Sequence, residues 1–89
     1  MIDRHLESFC NELKHQAKRR QQLYDGYNNA TGFDKDDFKL ITAMVEELGE
    51  IASAIIRERP EAAKAECIDL AHCCFLLYCK LSNKLESDQ

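Results

Sequence analysis

Val45-Glu46-Glu47-Leu48-Gly49-Glu50 and, further on, Glu66-Cys67-Ile68-Asp69 are the stretches on which the fold turns. They carry Glu47 and Glu50, then Glu66 and Asp69, each pair at i,i+3 spacing. On a helix that spacing places both side chains on one face. Between them, Arg57-Glu58-Arg59-Pro60 breaks the helical pattern. Proline has no amide N–H to continue a helix, but it suits the first position of a new one. A chain that reverses around Glu58 sets position 47 opposite 69 and position 50 opposite 66. An antiparallel hairpin of two helices therefore stacks two facing carboxylate pairs, about one helical turn apart.

Working outward from this hairpin, the arm that precedes Glu58 is predicted as a helix over 35–58. Ile41, Met44, Leu48, Ile51 and Ile55 form one apolar stripe along it, with a second line beside the stripe: Ala43, Glu47, Glu50, Ala54. Alanines flanking the acids let another helix approach closely. Asp34 is placed to cap this helix, and Asp36 and Asp37 suit its first turn. The following arm is predicted as a helix over 60–84. From Leu70 to Leu81 its only polar residues are His72 and Lys80. A helix that is apolar nearly all round must be covered nearly all round, which predicts a homo-oligomer with this helix near its centre.

Ahead of the hairpin, Ile2, Leu6, Phe9, Cys10, Leu13, Ala17 and Tyr24 recur at three- and four-residue steps. They predict a further helix over 2–24, with Arg4, Lys14, Lys18 and Arg19 on its other face. Asp25-Gly26 marks its end. Residues 25 to 34 form a loop in which Tyr27 and Phe33 serve as anchors. The expected fold class is thus all-α: a bundle of three long helices per chain in one domain over residues 1–89, completed by oligomerisation.

Composition agrees with this picture and narrows the functions open to the chain. With 45% hydrophobic and 31% charged residues among 89, it reads as a globular domain small enough to need help with its core. Three glycines and one proline leave little material for turns. A net charge of −4 argues against a nucleic-acid partner held by counterion release. No run approaches the roughly 18 apolar residues of a membrane span, so no membrane partner is expected. Five cysteines without a secretory signal point to free thiols in a reducing, cytoplasmic setting.

Solvated glutamates at this spacing are common on helices. Here, though, the acids sit beside small residues on otherwise apolar helices, match across the turn, and have Arg57 and Arg59 only at the turn itself. Four carboxylates brought together repel, and burial raises their pKa values until some are protonated. A hard divalent cation resolves the conflict. Mg²⁺ or Mn²⁺ takes oxygen ligands, and Mg²⁺ characteristically shares phosphate oxygens of a substrate. Zinc fits less well, because it prefers sulfur and nitrogen.

Glu46-Glu47-x-x-Glu50 followed by Glu66-x-x-Asp69 resembles the signature of the MazG-like all-α nucleoside triphosphate pyrophosphohydrolases, over roughly residues 35 to 84. The resemblance implies Mg²⁺-dependent cleavage of a (deoxy)nucleoside triphosphate between its α and β phosphates, giving the monophosphate and pyrophosphate, in nucleotide-pool sanitation. By the same carry-over Glu47, Glu50, Glu66 and Asp69 are the metal ligands, and Glu46 orients or deprotonates the attacking water. The family also implies a dimer or tetramer. The sequence departs from its relatives in having no tryptophan to meet the base, and in carrying Leu76 where some have a polar residue two turns after the aspartate. Lys80 and Lys84, which continue the same helix beyond Asp69, are the candidates for substrate phosphate. From another class, a helical interaction module whose acids only solubilise an oligomer is the competing expectation.

Other constellations carry less. Cys67, His72, Cys73 and Cys74 lack the paired spacing of a zinc site and are expected to pack in the core. Asp69-Leu-Ala-His72 matches half of a di-iron carboxylate motif, whose second half only another subunit could supply. Lys18-Arg19-Arg20 reads as a solvated face that is also able to meet triphosphate from a neighbouring subunit.

Overall fold

The computed structural model describes residues 2–23 and 37–87, with side chains described for 2–20 and 37–87. Among these the chain forms three helices: α1 (Ile2–Leu23), α2 (Asp37–Ile56) and α3 (Pro60–Ser87). The all-α expectation holds, and the helices agree with the predicted spans to within a turn. Tyr24 to Asp36, including the expected helix stop, loop anchors and cap at Asp34, lie outside the described residues. No helix among the described residues is long and apolar enough to cross a membrane.

α2 and α3 form the antiparallel hairpin, and its turn shows how the chain reverses. The Glu58 amide donates to the Ile55 carbonyl and the Arg59 amide to that of Ala54, at 3.0 and 2.8 Å. This paired pattern caps a helix C-terminus and needs a left-handed residue at its centre. Glu58 fills that place with φ of 56°, where glycine is the usual occupant. The Ala63 amide then donates to the Arg59 carbonyl, so Pro60 is the first helical residue and its missing N–H costs nothing. Far from the turn, Lys80 Nζ meets Asp37 Oδ1 at 3.1 Å, which pins the register at the open end.

The buried line of α3 is Ala63, Ile68, His72 and Leu76, and α2 answers it with Leu40 and Ala54. Leu76 is thus a core residue, in keeping with its apolar side chain. The face of α2 that meets α3 is the expected line of alanines and acids. Ile41, Leu48 and Ile55 are exposed on the single chain, whereas the line through Ala43, Glu47 and Ala54 is turned toward α3. Small alanines permit close helix approach, so this side makes the hairpin contact, while Met44 and Ile51 of the apolar stripe are half-buried and Ile41, Leu48 and Ile55 are left open. The cysteines correct an expectation of core packing. None is in a disulfide; Cys10, Cys67 and Cys74 are exposed, and Cys73 and Cys79 are half-buried. Cys67 and Cys74 sit off the 68-72-76 line, where their side chains stay exposed.

α1 lies against α3 with Gln16 as its buried residue, 9% exposed. Exposed large apolar residues are spread over all three helices and include Phe38 and Ile56 at 82% and 81%, together with Leu6, Val45, Tyr78 and Leu85.

Candidate metal centre

The hairpin register delivers the carboxylates to one place. Glu47 from α2, and Glu66 and Asp69 from α3, each offer an oxygen within 4.8 Å of the other two. Their placement follows from the turn: Glu47 and Asp69 stand equally far from Glu58, and Glu66 lies one turn from Asp69 on the same face of α3.

Glu50, the fourth residue of the predicted set, lies outside this group of three but adjoins it. Its carboxyl pKa is raised above 4.5, first by hydrogen bonding with Glu66 and by that residue's charge. Glu66 is raised as well, chiefly by its contact with Glu47, with desolvation and the charges of Glu47 and Asp69 adding to the effect. Acid faces acid across the helix pair. Glu46 is exposed on the adjoining face of α2.

Two oxygens in the cluster, Glu47 Oε2 and Glu66 Oε2, are shielded from solvent yet have no hydrogen-bond partner. A buried oxygen without a donor is costly, and here the two carboxylates that carry such oxygens also repel each other. A divalent cation with hard oxygen preference satisfies both demands, and this donor set of carboxylates alone fits Mg²⁺ or Mn²⁺.

Two α1 side chains reach Asp69. Gln16 Nε2 donates to Asp69 Oδ1 at 2.7 Å, and Arg20 Nη2 lies 3.7 Å from the same oxygen. Neither was singled out as a ligand partner from the sequence, although Gln16 falls between Leu13 and Ala17 inside the apolar stripe of α1. A polar residue in such a stripe is a signal that something polar lies opposite. An open groove of ≈ 590 Å³ runs beside this contact, lined by Glu12, Gln16, Arg19, Lys64, Ile68 and Asp69 among others.

One turn beyond Asp69, His72 is only 1% exposed and neither ring nitrogen has a hydrogen-bond partner. Burial pushes its pKa below 6.5 and the Arg20 charge adds to this, while Asp69 opposes it. Its ring lies 6.3 Å from that of Phe75. Among the described residues, the candidate metal cluster is made of carboxylates alone, without a cysteine or histidine.

The lysines predicted to meet phosphate are not brought to the cluster. Lys80 follows Asp69 by about 16 Å at helical rise and pairs with Asp37, and Lys84 lies a turn further along α3. Searches against protein-family models, curated proteins and solved structures found no match to this chain.

Proposed function

We infer that the chain is a MazG-like, Mg²⁺-dependent nucleoside triphosphate pyrophosphohydrolase, producing a (deoxy)nucleoside monophosphate and pyrophosphate. The observation that carries this reading is the convergence of Glu47, Glu66 and Asp69 across the hairpin, with sealed oxygens that lack donors. These three residues hold the ion, and Glu50 stands beside Glu66 to serve a second one or a shared water. When bound, the ion supplies positive charge to phosphate oxygens and makes a water more acidic. Glu46, exposed beside the cluster, orients the attacking water or takes its proton. Arg20, together with Arg19 and Lys64 along the adjoining groove, is better placed than Lys80 or Lys84 to meet a polyphosphate. The substrate's role in nucleotide-pool sanitation, and a cytoplasmic location, belong to the same reading.

The exposed apolar residues on α2 and α3 support a homo-oligomer, a dimer or tetramer, in which these faces are covered. They also favour the competing reading, a helical interaction module whose acids merely keep the assembly soluble. Turnover separates the two. The purified protein is incubated with Mg²⁺ and a panel of ribo- and deoxyribonucleoside triphosphates, and pyrophosphate and phosphate are measured separately. Pyrophosphate release that is lost in Asp69→Asn is expected. Absence of turnover across the panel selects the module, and phosphate without pyrophosphate points to another hydrolase.

A further inference from the structure

Gln16 stands out among the polar residues because it is buried, belongs to a different helix from every candidate ligand, and uses its amide on one of them. A buried carboxamide requires a partner, and this one finds Asp69 Oδ1 at 2.7 Å. A carboxylate can only accept, so the group facing it is the amide nitrogen. We propose that Gln16 is a positioning residue for the divalent-cation site: through its hydrogen bond to Oδ1 it sets the orientation of the Asp69 carboxylate, and so couples the seating of α1 to cation binding. This rests on the metal-site reading given above.

The chemistry of the residue fits the task. Each carboxylate oxygen has more than one lone pair, so an oxygen that accepts from Gln16 is not spent, and the group retains capacity for a cation. Holding one oxygen fixes the carboxylate plane, which a side chain on a helix surface otherwise leaves free to turn. The donor is neutral. A lysine in the same buried position would hold Asp69 equally well but would repel the incoming ion. Arg20, which reaches the same oxygen at 3.7 Å, is partly exposed and free to swing toward solvent or an anion. The neutral donor is therefore the buried one, and the charged donor stays at the rim.

The test uses Mn²⁺ as the probe, with free ion followed by electron paramagnetic resonance, in four forms of the whole chain: wild type, Gln16→Leu, Leu13→Ala and Asp69→Asn. Leu13→Ala weakens the apolar seat of α1 without touching Asp69, so it reports any effect of loosening the helix alone. Circular dichroism establishes that each variant is folded before titration. The expected result is Mn²⁺ binding in wild type, loss of it in Asp69→Asn, and affinity about ten-fold or more weaker in Gln16→Leu. Leu13→Ala is expected within about two-fold of wild type, since it removes no partner of a ligand. If Gln16→Leu binds like wild type while Asp69→Asn does not, the positioning role is wrong and the metal site stands. Equal weakening by Leu13→Ala and Gln16→Leu also overturns the role, because seating of α1 then suffices to explain both. If wild type binds no Mn²⁺, the role falls together with the site on which it rests.

Discussion

Replacing Glu66 by glutamine should change stability in opposite directions with and without Mg²⁺. Glu66 offers an oxygen within 4.8 Å of both Glu47 and Asp69. Two unit charges at that separation repel by about 0.9 kcal/mol in water and about 3.5 kcal/mol at an effective dielectric of 20. These carboxylates are partly exposed, so the lower end applies, and salt reduces it further. Glu66→Gln removes both repulsions and supplies an amide to the unpartnered Oε2 of Glu47. The metal-free variant should therefore be more stable than wild type by about 1 kcal/mol, a rise in Tm of roughly 4–8 °C for a domain of this size. The same comparison depends on pH with a definite sign. The folded-state pKa of Glu66 is raised above 4.5 by Glu47, so the stability it contributes is complete below that value and lost as pH rises through the folded value. The advantage of Glu66→Gln should thus grow with pH and then level off. With Mg²⁺ at about a hundred times its dissociation constant, wild type gains about 2.7 kcal/mol. The variant lacks a ligand and gains far less, so the order of the two melting curves inverts. Differential scanning calorimetry at matched protein concentration, with chelator or Mg²⁺, reads both effects. Unchanged melting of both proteins in both conditions would mean that the acids are independent and solvated.

Glu58→Gly should stabilise the hairpin by about 0.5–1 kcal/mol, because a left-handed non-glycine residue costs about 1–2 kcal/mol and the added backbone freedom of glycine takes back part of the gain; a loss in denaturant midpoint would contradict the turn geometry. His72→Leu should leave stability unchanged or raise it by about 1 kcal/mol at neutral pH, since the imidazole is buried with both nitrogens unpartnered. Because burial holds the His72 pKa below 6.5, its stabilising contribution is present above that pH and is lost as pH falls through the folded value. The variant's advantage should therefore widen on acidification, and destabilisation by more than about 2 kcal/mol would show that the ring has a partner. Light scattering should give a mass that is a multiple of the 10.3 kDa chain, and Ile55→Glu should lower it; a wild-type monomer would remove the argument for a covered apolar face.

The facing acids were legible because the hairpin register depends on little more than distance from one turn. Pro60 marks where the second arm begins, and residues equally far from Glu58 then meet. The left-handed conformation of Glu58 was not legible, since the break at 57–60 shows no glycine to signal it. The face of α2 that meets α3 was legible from the alanines beside the acids, whereas apolar periodicity identifies surface that must be covered without saying by what. On this chain α3 takes the alanine-and-acid side, and Leu48 and Ile55 are left open. The same limit applies to Cys67 and Cys74, whose type favours burial but whose positions lie off the contact line. Gln16 was only half legible: a polar side chain inside the apolar stripe of α1 signals a polar partner, but which residue it meets depends on how α1 sits against α3. Lys80 was proposed from its place along α3, but its place is at the level of Asp37, which holds it away from the acids.

Crystals grown with Mn²⁺ and measured at the manganese absorption edge test the central claim most directly. The account predicts an anomalous peak between α2 and α3, about 2–2.3 Å from an oxygen of each of Glu47, Glu66 and Asp69. A map with no peak there, or with manganese bound only at other surface acids, would contradict it.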